Sequence, residues 1–145
     1  MGQADEDDVS LLWLTDPTKV ESAVATLQKN EAVFGGGEIF WGQSLALMFG
    51  NPHVDPRVPD IAIAPNVGVV YTGGKAKVSE HGGFSNDDRN VLLIVSNSRI
   101  SPATATGQVE TRQIAPTILQ VLGLDPNALQ AVRKEGTVAL PGLIY

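Results

Sequence analysis

Glu80-His81-Gly82-Gly83-Phe84-Ser85-Asn86-Asp87-Asp88-Arg89-Asn90 runs directly into Val91-Leu92-Leu93-Ile94-Val95-Ser96. A histidine, two glycines, a polar and acidic patch and then five apolar residues are not generic loop composition. Glycine lets the backbone turn sharply or lie close to another group. The apolar run has the length and branching of a strand covered on both faces. It is therefore expected to be the central strand of the fold, with a helix carrying Ile114, Ile118 and Val121 packed on it. His81, a metal or proton ligand by chemistry, would then sit on a short tether beside a rigid element, as residues of active sites commonly do.

A second segment joins the first: Thr111-Arg112-Gln113-Ile114-Ala115-Pro116-Thr117-Ile118-Leu119-Gln120-Val121-Leu122-Gly123-Leu124. Together with His81-Gly82-Gly83-Phe84 and the run after it, this resembles the C-terminal part of the alkaline-phosphatase superfamily. The nearest branch is that of the type I phosphodiesterases and nucleotide pyrophosphatases, and the likeness spans about Asp8 to Leu143. The resemblance implies an α/β fold: a partial layered αβα unit with a small mixed sheet, like the C-terminal lobe of that superfamily. It also implies that His81 is one ligand of a two-zinc site, so that the complete family enzyme uses zinc or another divalent metal. The family's nucleophilic Ser or Thr and its Asp and Asp-His ligands belong to a longer N-terminal part and are not found in this sequence. The isolated chain is thus expected to be inactive, and no cofactor is firmly expected for it alone.

Composition bounds the alternatives. The 145 residues suit one domain, and 43% hydrophobic content suffices for a core. The formal charge is -6, with 10 basic residues scattered along the chain, whereas phosphate-neutralising proteins need a basic face; no nucleic-acid partner is expected. The chain has no cysteine, which excludes disulfides and thiolate metal sites and leaves the compartment open. No apolar run is long enough to span a bilayer, so no membrane partner is expected. Residues 1–8 are acidic and polar, unlike a signal peptide, and are expected to be a disordered leader before a single α/β domain over 9–145. Glu6 stands where a myristoylation motif wants Ser or Thr.

Read in order, Val9 to Leu14 forms a strand, and Asp16-Pro17 starts a helix to about Asn30 whose apolar face carries Val20, Val24 and Leu27. Gly35-Gly36-Gly37 lacks the lysine and Ser or Thr of a phosphate loop and reads as a turn into a strand over Glu38 to Trp41. Gly42 to Phe49 is a helix closed by Gly50. Asn51 to Pro59 is an irregular proline-rich loop. Strands are expected at Asp60 to Ile63 and Val67 to Thr72, with a turn at Gly73-Gly74. A helix presents Ile114, Ile118, Val121 and Leu122 as its apolar stripe, with Pro116 in its first turn, and Gly123 ends it. Asp125-Pro126 starts another helix with Leu129 and Val132 inward. The tail from Val138 to Tyr145 is expected to dock as a strap.

His81 is the one residue singled out as a metal ligand. Its plainer reading is a hydrogen-bonded loop histidine. Glu80, Gly82, Gly83, Ser85 and Asp87 would line its surroundings. Ser85 with His81 and Asp87 or Asp88 makes only a nominal triad, since no strained nucleophile turn surrounds the serine; no catalytic residue is assigned. His53, Asp55 and Asp60 form another ligand-rich cluster, yet charge on a proline-rich loop also serves solvation. Two functions of different class stand side by side. One is the C-terminal lobe of a phosphodiesterase-like metalloenzyme, contributing one metal-ligand histidine. The other is a free-standing, non-catalytic protein acting through recognition by a protein partner. Either way, apolar segments near the termini favour a homo-oligomer or pairing with the missing N-terminal part.

Overall fold

Ile61-Ala62-Ile63 is apolar on both faces and can be a strand only if both are covered. The computed structural model, which describes residues 2–72 and 74–143, covers both. Strand β4 (Ile61–Pro65) lies inside a four-stranded sheet with β1 (Gln3–Glu6), β2 (Ser10–Trp13) and β3 (Gly36–Trp41), in the order β1-β2-β4-β3. The register stacks Leu12, Ile61 and Trp41 in one row, Leu11, Ala62 and Phe40 in the next, and Ser10, Ile63 and Ile39 in a third. Because strand side chains alternate, the first and third rows share one face. Against it pack Val20, Val24 and Leu27 of α1 (Val20–Lys29) and Phe34 of α2 (Glu31–Phe34). The middle row faces the opposite way, toward the buried Leu45 of α3 (Gly42–Phe49), Val58 and Phe84. Helices therefore lie on both faces of the sheet.

Local chemistry starts α1 where the sequence suggests, and a short further helix, α2, not expected from the sequence, follows it ahead of the glycine turn. The Asp16 carboxylate accepts from the Thr18 backbone N–H at 3.0 Å and from its hydroxyl at 2.6 Å, capping a 3-10 turn (Pro17–Lys19) that leads into α1. Gly35 ends α2 at φ 68, a conformation that favours glycine; Gly36 and Gly37 belong to β3. The buried Asp60 fixes the entry to β4, its carboxylate accepting from Leu14 N–H at 2.7 Å while its own N–H donates to Leu12 O at 2.9 Å.

Four expectations are corrected. The sheet is antiparallel in every pairing rather than mixed, because the segment that would have supplied another direction, Val91 to Val95, forms no strand. That run is not a central element: Val91, Leu92 and Ile94 are 69%, 83% and 74% exposed. A strand needs a neighbour's backbone, and nothing in the run's own composition supplies one. Val67 to Thr72 is also no strand; a turn at Asn66–Val69 and one bond from Tyr71 N–H to Asp7 O replace the ladder. Within the segment expected as a disordered leader, Gln3–Glu6 pairs along its whole length with β2. Its side chains are exposed, so its charges stay solvated while its backbone is satisfied.

The chain divides into two compact units, Met1–Leu92 and Leu93–Tyr145, with the boundary inside the apolar run. In the second unit, α5 (Ile114–Val121) has Pro116 in its first turn and buries Pro116 and Thr117. Ile118, Val121 and Leu122 of the expected inward stripe are exposed. Gly123, at φ 71, follows the helix. A 3-10 turn (Pro126–Ala128) leads to α6 (Gln130–Glu135), which buries Val132. The tail docks through polar contacts, Leu140 N–H donating to Thr117 Oγ1 at 2.8 Å. Met1, the Gly73 of the expected turn, and Ile144 and Tyr145 of the tail lie outside the described residues. Among the described residues no helix is long and apolar enough to cross a membrane.

The sheet's dependence on β4 is directly measurable. Ile61→Ala, at a fully buried position, is expected to lower stability by about 2–5 kcal/mol in urea titration. An unchanged midpoint would show that this strand is not the centre of the unit.

Candidate functional site

The His81 loop is built by alternating buried and presented residues. Gly83 is buried, and Phe84 wedges between Phe40 of β3, at 5.7 Å between ring centroids, and Phe49 of α3, at 6.0 Å. Gly82 makes the turn at φ 95, which side-chain-bearing residues adopt only under strain. A methyl group added at Gly83 would collide with Oδ2 of Asp88 and stand 2.6 Å from Oδ2 of Asp8. The first glycine is therefore favoured by its dihedral angle, while at the second a side chain would have to displace the two carboxylates. Between these anchored positions and Glu80, the His81 side chain is left 96% exposed.

Glu80 is the opposite. Its carboxylate is only 5% exposed and is paired with Lys77, whose Nζ also lies 2.8 Å from Asp7 Oδ1. His81 Nε2 stands 3.7 Å from Glu80 Oε1, beyond a hydrogen bond. A buried carboxylate is tolerable here because the Lys77 ammonium compensates it. Lys77 and Asp7 are missing from the sequence-based reading of the site. Lys77, three residues before Glu80, could have been suspected from spacing; Asp7, 70 positions before Lys77, carries no local signal.

The remaining candidates have other tasks. Ser85 caps α4 (Asn86–Arg89): its hydroxyl accepts from Asp88 N–H at 3.2 Å and donates to Asp88 Oδ2 at 2.6 Å. This is a turn-stabilising cap, with Asp88 rather than His81 as partner. Asp87 is exposed in the first turn of α4, where a negative charge suits the free N–H groups. The cluster on the proline-rich loop does not converge either. Asp60 holds Leu14, and Asp55 is bound by Arg57, whose Nη2 is 2.6 Å from Asp55 Oδ2. His53 is exposed, with its backbone N–H on Asn51 Oδ1 at 2.9 Å. Among the described residues no three His, Cys, Asp or Glu side chains come together as a metal cage. The loop therefore offers one imidazole donor, backed by a compensated carboxylate.

Two measurements check this assignment of roles. Phe84→Ala should cost about 3 kcal/mol, the low end for emptying an aromatic core site, whereas His81→Ala should stay within about 0.5 kcal/mol, as exposed positions do; urea titration separates them. On the proline-rich loop, the Arg57 side chain, chiefly by hydrogen bonding, holds the Asp55 carboxyl at about 2 against an ordinary 3.8. The folded-state value is the depressed one, so the pair favours the folded state above pH 3.8 and that support is lost as pH falls toward 2. An NMR titration should find Asp55 near 2 and see it return toward 3.8 in Arg57→Ala.

The chain matches no family model, no curated protein sequence and no solved structure.

Proposed function

We propose that this chain acts as the C-terminal lobe of a phosphodiesterase- or nucleotide-pyrophosphatase-like metallohydrolase, presenting His81 as one ligand of a metal centre completed by other polypeptide. The observation that carries the reading is the pose of His81: an almost fully exposed imidazole on a loop held by Phe84, beside a buried carboxylate. An outward-facing donor on a rigid mount suits a ligand that another segment must join. The layered arrangement of helices on both faces of the sheet is compatible with the α/β lobe that the sequence resemblance implies. Zinc or another divalent cation bound at such a centre would polarise a phosphoryl oxygen. This chain's own part is to position one donor and to place negative charge behind it.

One donor is too few. A catalytic zinc usually takes three protein ligands, and the described residues do not form such a set. Activity in the isolated chain is accordingly absent in this reading. The alternative, a non-catalytic protein acting by protein–protein recognition, draws on a separate observation: the exposure of Val91, Leu92 and Ile94, which form a contiguous apolar stretch of the kind that partners cover.

The test uses the two histidines as mutual controls, since both are exposed and only His81 has Glu80 beside it. Zinc titration followed by imidazole NMR should perturb His81 at several-fold lower concentration than His53. The same protein should show no turnover of a nitrophenyl phosphodiester above a metal-only blank. Equal response of the two histidines would remove the ligand role, and turnover abolished by His81→Ala would mean that the chain holds a complete site.

A further inference from the structure

Among the described residues the sheet has an edge, at β3, on which no strand is laid. Among the described residues β3 pairs only with β4 and ends the sheet, so the other side of its six-residue backbone faces no strand. Unpaired strand edges recruit strands. Each layer flanking β3 also carries exposed apolar surface, Val33 in α2 at 84% and Leu47 in α3 at 79%.

Val91-Leu92-Leu93-Ile94-Val95 has the composition for that position. It holds no charge, no proline and no glycine, and three of its five residues are β-branched. Apolar side chains at every position call for cover on both faces, which an alternating edge strand does not need. At about 3.4 Å per residue its five residues would span all but one position of the six-residue β3. The opposite edge is a poor alternative. Strand β1 is exposed throughout and ends in Asp5-Glu6, followed by Asp7 and Asp8. The charges also fit: Arg89 and Arg99, both exposed, bracket the run, while the exposed Glu38 sits on β3.

Among the described residues the run pairs with no strand. We infer that two copies of the chain exchange it, Val91–Val95 of each adding to β3 of the other. The exchange is reciprocal, so it closes as a two-fold dimer rather than a filament. It goes beyond the metal-ligand reading and does not depend on His81.

The chain lacks cysteine, so single cysteines report the pairing cleanly. Glu38→Cys and Ile94→Cys, both at exposed positions, should cross-link to each other on oxidation when the two variants are mixed, and far less to themselves. Light scattering after size exclusion should give twice the 15.3 kDa chain mass for the unmodified protein at micromolar concentration. Leu92→Lys with Ile94→Lys should return the mass to 15.3 kDa with an unchanged circular dichroism spectrum, since both sites are exposed in the single chain. A monomer at every concentration, a dimer that survives the lysines, or self-cross-linking of Ile94→Cys would each overturn the exchange. A monomer whose His81 still answers zinc before His53 would leave the metal-ligand reading intact and refute only the dimer.

Discussion

Closure of β4 on both faces is the constraint from which the first unit follows. Ile61 and Ala62 are fully buried, and Ile63 nearly so. Each buried aliphatic side chain contributes about 1.5–3 kcal/mol, while ordering each residue's backbone costs about 1–2 kcal/mol. A strand covered on one face only would barely break even. Cover on both faces demands a helix layer on each side, and α1 with α2 and then α3 provide them. Ala62 fits this division of labour. Its small side chain faces the layer where Phe40, Phe84 and Leu45 meet, and it leaves room for them. The Asp60 carboxylate on Leu14 N–H adds a charge-assisted bond worth about 1.5–3 kcal/mol, which resists a one-residue slip that would turn both faces inside out.

The histidine loop is a dependent of that core. Phe84 is the residue through which α3 and β3 grip it, and Gly83 lets the chain pass beneath two carboxylates. His81 can therefore be fully solvated without being loosely held. The same arrangement explains the buried Glu80. Placing a carboxylate behind the imidazole requires a nearby cation, and Lys77 fills that need by reaching both Glu80 and Asp7. The hairpin β1–β2 thereby takes part in the site, because Asp7 lies in its turn.

What the sequence discloses and what it conceals divide by range. The cap at Asp16, the proline in the first turn of α5 and the span of α3 were legible because each depends on residues within a turn of one another. Val91 to Val95 misled for the opposite reason. Its composition states that it wants cover, but cover is a property of neighbours, and the described chain does not supply them. The acidic stretch Gln3–Glu6 misled in the other direction: charge on side chains says little about whether backbone groups find a ladder. In the site, the glycine turn and the serine cap were readable locally. The Phe84 contacts, 44 and 35 positions away in sequence, and the Asp7–Lys77 link were not.

Electrostatics also decides which edge of the sheet remains open. A net charge of -6 sets copies of the chain apart at long range, but the screening length is only about 8 Å at physiological salt. That weakens the general repulsion and leaves the local pattern in control. Asp5, Glu6, Asp7 and Asp8 concentrate charge along β1 and its turn, within reach of any strand laid against it, so that edge is protected in the way natural sheets commonly protect theirs. On β3 the single Glu38 gives no such protection. Closing β1 with charge while leaving β3 apolar makes the sheet selective about where it can grow.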